Sequence, residues 1–185
     1  DPDVEQFTVI YQISDMPVLF GEQEIAANAF SVDSTFFKIF PYRVIAGSGR
    51  IVRPRDVVIT RSFWMKKLGG KNAIGATFKN TKGNKFTIVG VVDDPDTKTS
   101  WTPDIFMSNE LDEFLFFDPI YAMLMASDAD IALLNKKYSK EHPRSKWSTY
   151  ETVRYQYLPL KDLYYDKDHG KENKNYQYGN QSYVR

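Results

Sequence analysis

The sequence has 185 residues, 42% of them apolar and 15% aromatic, with 24 Lys plus Arg balanced by 24 Asp plus Glu. That composition supports a folded domain with a bulky core, and it gives no net field to draw nucleic acid, acidic lipid or a polyanion. The absence of cysteine excludes disulfides, thiolate nucleophiles, Cys-ligated zinc and iron–sulfur clusters.

Phe7 to Ile13 (FTVIYQI) reads as a strand that stops at the turn-forming cluster Ser14-Asp15-Met16-Pro17. Glu24 to Val32 reads as a second strand, followed by a helical turn over Phe36 to Phe40 with Asp33 or Ser34 as its cap and Pro41 as its stop. Gly47, Ser48 and Gly49 mark a turn; Asp56 to Thr60 (DVVIT) is a short apolar strand, and Ser62 to Leu68 a short helix closed by Gly69-Gly70. Thr77 to Lys79 and Lys85 to Val92 form a hairpin, with Phe86, Ile88 and Val92 expected on one face. Asp104 to Ser108 and Ile120 to Ala126 are two more strands. The second leads into a helix with a capping-box pattern at Ser127 to Asp130 and apolar Ile131, Leu134 and Tyr138. Thr152 to Leu158 (TVRYQYL) alternates as a half-buried strand and is expected beside Ile120 to Ala126. A polar loop is expected over 166–180. No signal peptide is recognisable, and the apolar run Ile120 to Ala126 is too short to cross hydrocarbon.

The search for chemistry returns little. His142 and His169 are the two histidines, and neither has a second histidine at ligand spacing. Carboxylates from Asp162 to Glu172 superficially resemble a calcium loop, but counting from Asp166 puts Gly170 at position five and Gln177 at twelve, where Gly at six and an acid at twelve are needed. Asp93, Asp94 and Asp96 could act as paired acids, yet around Pro95 their plainer role is to end a strand and fix a turn. Gly47-Ser48-Gly49-Arg50 lacks the Lys-Ser/Thr of a phosphate loop, and Ser62 has no nucleophile elbow. No catalytic, metal or cofactor residue is therefore assigned. The aromatics Trp101, Phe114, Phe116, Phe117, Trp147 and Tyr164, Tyr165, Tyr176 and Tyr178 fall largely outside confident elements. Trp101, Phe116 and Phe117 are the candidate partner contacts, with packing between loops and sheet as the plainer reading.

Three stretches carry a family likeness: Val32 to Gly47 (VDSTFFKIFPYRVIAG); Asp56 to Phe63 with Lys67-Leu68-Gly69-Gly70 and Ala73 to Phe78; and Phe86 to Pro95 with Asp104 to Ser108. They resemble the MacB-like extracytoplasmic domain of ABC transporter permeases, the FtsX-type family abundant in Bacteroidetes. Ala73 stands where the family usually has Pro, and Ala76 where it has Lys. The likeness covers about residues 1 to 165 and includes Leu158 to Tyr164 near the end.

This resemblance implies an α+β fold in two lobes: a membrane-proximal α/β lobe from 1–30 and 101–165, and an inserted, mainly β lobe from 31–100. A polar tail, 166–185, would then lead to a transmembrane helix. It also implies a noncatalytic periplasmic domain of an inner-membrane protein in a Gram-negative bacterium. A separate cytoplasmic ATPase would be the partner through the membrane part, the parent would be dimeric, and an envelope partner or exported substrate would meet the domain outside. The alternative is a carbohydrate-binding or hydrolytic envelope domain using exposed aromatics and the acids near Asp94. A cleft holding paired carboxylates would favour that alternative.

Overall fold

The computed structural model describes residues 2–95, 101–110, 119–137, 142–143, 152–153 and 157–163. β1, Val4–Phe20, runs straight through the cluster expected to end it. Asp15 takes a φ of +50, and the pairing to β2, Gln23–Val32, slips between Ile13 and Met16. Residues that would turn a free chain here make a bulge, because the following Val18, Leu19 and Phe20 still find partners on β2. The reversal comes at Gly21-Glu22, a two-residue loop whose Gly21 takes φ +63.

α1, Phe36–Ile39, follows Asp33 as expected. Asp33 Oδ1 accepts from Thr35 N at 2.8 Å and Phe36 N at 3.2 Å, and also from Thr8 Oγ1 at 2.8 Å, while Oδ2 accepts from Val9 N at 2.8 Å. The cap therefore doubles as a tie to β1.

β3, Val44–Gly47, escaped the sequence reading, whereas β4, Asp56–Thr60, and α2, Arg61–Lys67, lie where the apolar runs put them. Thr60 Oγ1 accepts from Phe63 N at 3.4 Å to open α2, and Gly70 N donates to Trp64 O at 3.1 Å to close it. β5, Thr77–Asn80, β6, Lys85–Val92, β7, Ile105–Ser108, and β8, Ile120–Met125, follow. α3, Ile131–Lys137, begins after Asp130, whose Oδ1 accepts from Ala132 N and Leu133 N; the cap is this side chain and not Ser127. Two short strands, β9, His142–Pro143, and β10, Thr152–Val153, and α4, Leu160–Leu163, complete the described elements.

Pairing closes six strands into a circuit, β1–β2–β7–β4–β6–β5 and back to β1, with β4–β6 and β2–β7 parallel and the other pairs antiparallel. β1 is long because its second edge is shared, Val4 to Ile10 pairing with β8 and Val18 and Leu19 with β5. β6 is shared likewise between β5 and β3. The fold is a mixed α+β sheet, as expected. The expected boundaries near 31 and 100 do not coincide with a break in it. Among the described residues, β4, β6 and β5 form one arc and β1, β2 and β7 the other, joined at β7–β4 and at β5–β1. One correction concerns Thr152–Val153, which pairs with His142–Pro143 in a separate two-stranded sheet and not with β8. Residues 154–156 of that expected strand, Phe114, Phe116, Phe117, Trp147 and the tail from 164 onward lie outside the described residues.

Alternation along the strands builds two apolar clusters. One holds Ala27, Ala29, Val57, Ile59, Phe78, Phe86, Ile88, Val91, Ile105 and Met107 under Phe63 of α2. The other holds Ile10, Phe30, Val32, Val58, Val92 and Phe106 under Phe36 and Trp101. Val92 thus faces away from Phe86 and Ile88, against expectation. Val57 pairs with Ile88 but Val58 with Gly90, so one extra residue of β6 inverts every later side chain. Gly90 permits this: a Cβ there would land on the Ser48 carbonyl, and Ser48 N donates to Val89 O at 2.7 Å.

Candidate functional site

Where β6 ends, two aspartates face groups brought in from distant parts of the chain. Asp93 N donates to Arg43 O at 2.8 Å, and its carboxylate takes Arg43 Nη2 on Oδ2 and Arg61 Nε on Oδ1, the latter at 3.2 Å. Asp94 Oδ2 accepts from Ser62 N at 3.0 Å, in the first turn of α2. Both aspartates therefore finish the strand and anchor its surroundings, and Asp96 lies outside the described residues. They do not form the open carboxylate pair that the hydrolytic alternative needs, because Asp93 is engaged by two guanidinium groups.

Tyr42, between α1 and β3, is held as a neutral phenol: burial, then the charge of Asp94, pushes its pKa up to about 12. Asp104 sits on the neighbouring strand end, where Oδ2 accepts from Asn28 N at 2.9 Å and its own N donates to Asn28 O at 2.7 Å. Burial pushes its carboxyl above the usual range. The Asn28 N–H and the Lys67 and Lys66 charges oppose that shift, and Asp94 reinforces it.

Two cavities flank Tyr42. The smaller, about 350 Å³, is lined by Phe40, Tyr42, Arg43, Asp94, Trp101 and Leu160, among others. The larger is an open groove of about 790 Å³ between α1 and the segment 48–53, with Phe37, Lys38, Val52, Arg53 and Glu110 on its walls. Arg53 is committed to buried Asp56 through Nε at 2.9 Å and its own N–H at 3.0 Å. Burial would raise the Asp56 carboxyl, but the Arg53 side-chain and backbone hydrogen bonds and charge outweigh it, leaving Asp56 below the usual carboxylate range.

Trp101 is not the surface contact expected of it. It is 6% exposed, with its ring 5.8 Å from Phe30 and 5.3 Å from Phe40, edge to face in both cases. Its bulk is spent on the second apolar cluster, and a small part of it lines the cavity. Phe116 and Phe117 lie outside the described residues. Among the described residues no three His, Cys, Asp or Glu side chains converge as metal ligands, and no helix is long and apolar enough to cross a membrane. Phe40, Tyr42 and Arg43 were missed from the sequence as site residues. The pairing of Arg43 with Asp93 spans 50 positions and leaves no local signal.

The MacB-like periplasmic core domain family matches residues 1–138. The chain belongs to this family. The MacB-like chain is also similar to solved structures, and at this level of identity the likeness shows the fold alone. The periplasmic region of MacB from Actinobacillus actinomycetemcomitans shares 16% identity and a TM-score of 0.59, covering 75% of this chain and 66% of that one, so the chain spans about two thirds of that structure's length. A domain from a Porphyromonas gingivalis protein described as a permease gives 17% identity and a TM-score of 0.63, covering 74% and 68%. The extracellular domain of the noncanonic ABC-type transporter YknZ from Gram-positive bacteria gives 16% and 0.55, covering 68% and 67%. No curated protein matches the chain. Family membership makes this an extracytoplasmic domain of the ABC-permease type.

Proposed function

We propose that this domain is noncatalytic and couples ATP hydrolysis by a separate cytoplasmic subunit to export or to mechanical signalling in the envelope, through contacts with partners or cargo. The single observation behind this reading is the family match over residues 1–138. The tied-up Asp93 gives the competing hydrolytic reading no support. In this reading the parent is a dimeric inner-membrane permease of a Gram-negative bacterium, and the chain lies in its periplasm. The rigid strand circuit transmits displacement, and the aromatic face carries the contacts.

The test uses the complete permease co-purified with its ATPase in lipid nanodiscs. Removing this domain is expected to leave ATP hydrolysis running while export or signalling stops. Export that continues unchanged without the domain would overturn the proposal, as would hydrolysis of glycans by the isolated chain.

A further inference from the structure

The cavity beside Tyr42 has a distinct chemical character. Its walls are aromatic: Phe40 and Trp101 meet edge to face at 5.3 Å, and Tyr42 adds a half-buried phenol. Leu160, 54% exposed, stands at the rim. Three ionised groups line it, and two of them, Arg43 and Asp93, neutralise each other, with Arg61 adding a second cation to Asp93. That leaves Asp94. One of its oxygens takes the Ser62 N–H, and no Lys or Arg of the described residues forms an ion pair with it.

A carboxylate with no ion-pair partner of its own, beside aromatic side chains, suits a positively charged nitrogen on an apolar stem: the rings stabilise the cation's surface and the carboxylate its charge. Its volume, about 350 Å³, is that of a small-ligand pocket. We infer that this cavity binds an organic cation with an apolar stem, with Asp94 as its counter-ion and Phe40, Tyr42 and Trp101 as its cage. The inference deepens the proposed function by naming what the domain's contact face would recognise. The cation can be a free amine or the lysine side chain of a partner; the chemistry is shared.

The test titrates the domain with hexyltrimethylammonium, and with hexanol as its uncharged counterpart, following backbone and indole resonances by NMR. The cation is expected to bind at least about tenfold tighter than hexanol and to shift residues around Tyr42, Asp94 and Trp101. Asp94→Asn keeps an acceptor for Ser62 N–H and should erase that preference while leaving hexanol binding unchanged. Leu160→Lys sets a competing charge at the rim without disturbing the interior, and should weaken the cation alone. Equal affinity for the two probes, shifts mapping elsewhere, or a preference that survives both variants would overturn the inference. A peptide with one free lysine, against its acetylated form, separates the two sources: tighter binding than hexyltrimethylammonium assigns the site to a partner, weaker binding to a small amine. Failure here with coupled export intact removes the cation site and leaves the proposed function standing.

Discussion

The two apolar clusters lie on opposite faces of the same strands and are built differently. The cluster under α2 consists mainly of aliphatic side chains supplied by strand alternation, with Phe63, Phe78 and Phe86 filling its width. The cluster under α1 is aromatic, and much of it comes from outside the strands: Phe36, Phe37, Phe40 and Tyr42 sit on a four-residue helix and the segment after it, and Trp101 on the segment leading into β7. The difference separates two tasks. A cluster sealed by hydrogen-bonded strands resists change, whereas one roofed by rings on short segments leaves crevices, and both cavities open on that side.

Truncations should expose the contrast most strongly. Phe86→Ala is expected to cost about 4 kcal/mol in urea unfolding, since Phe86 is fully buried in the first cluster and stacks on Phe78. Phe40→Ala, at the half-buried rim of the second, should cost about 2 kcal/mol. Equal losses would mean that the two faces are packed alike. Gly90→Ala is next, at about 3 kcal/mol, because its methyl would strike the Ser48 backbone and cannot be accommodated by a rotamer change. The control is Gly83→Ala, where a Cβ meets nothing within 4 Å and only the φ of +80 is strained, at about 1 kcal/mol. A Gly90 variant no worse than the control would refute the bulge geometry. Asp33→Ala should cost about 2 kcal/mol by leaving Val9 N and Thr35 N without their acceptor, and amide exchange should quicken at α1 before it does at β6.

What could be read in the sequence follows the same divide. β4, α2 and β6 were legible because each is a short apolar run bounded by glycine or polar turns, and local pattern suffices there. The passage of β1 through Asp15 was not, since the residues of a bulge and of a turn are alike and only pairing with β2 decides between them. Val92 was put on the wrong face because a one-residue slip at β6 depends on a partner strand about thirty positions away. Closure of the circuit through β5 and β1 has no local signature. At the candidate site the aspartates were recognised as strand-enders. The aromatic cage and the Arg43 partner became visible once the chain was folded, and Trp101 proved to be packed inward because β2 presents Phe30 to it.

The smallest expected effect is a pair of acid titrations of opposite sign. Asp56 is held below the usual carboxylate range, so its contribution to stability is complete above about pH 4 and is lost as the pH falls through its lowered value. Asp104 is pushed upward, so its contribution is complete below the ordinary value and is lost as the pH rises through the raised one. Urea midpoints across this range should flatten on the acid side in Asp56→Asn and just above it in Asp104→Asn. The same change in both variants would contradict the assigned environments.

The central claim, that this domain responds to ATP used on the other side of a membrane, is tested most directly by hydrogen exchange on the complete permease and its ATPase in nanodiscs, with and without ATP. Exchange should change at residues 36–43 and 93–95, around the aromatic face, and stay constant in β4, β6 and β7. A domain whose exchange is indifferent to ATP at every residue would contradict the account.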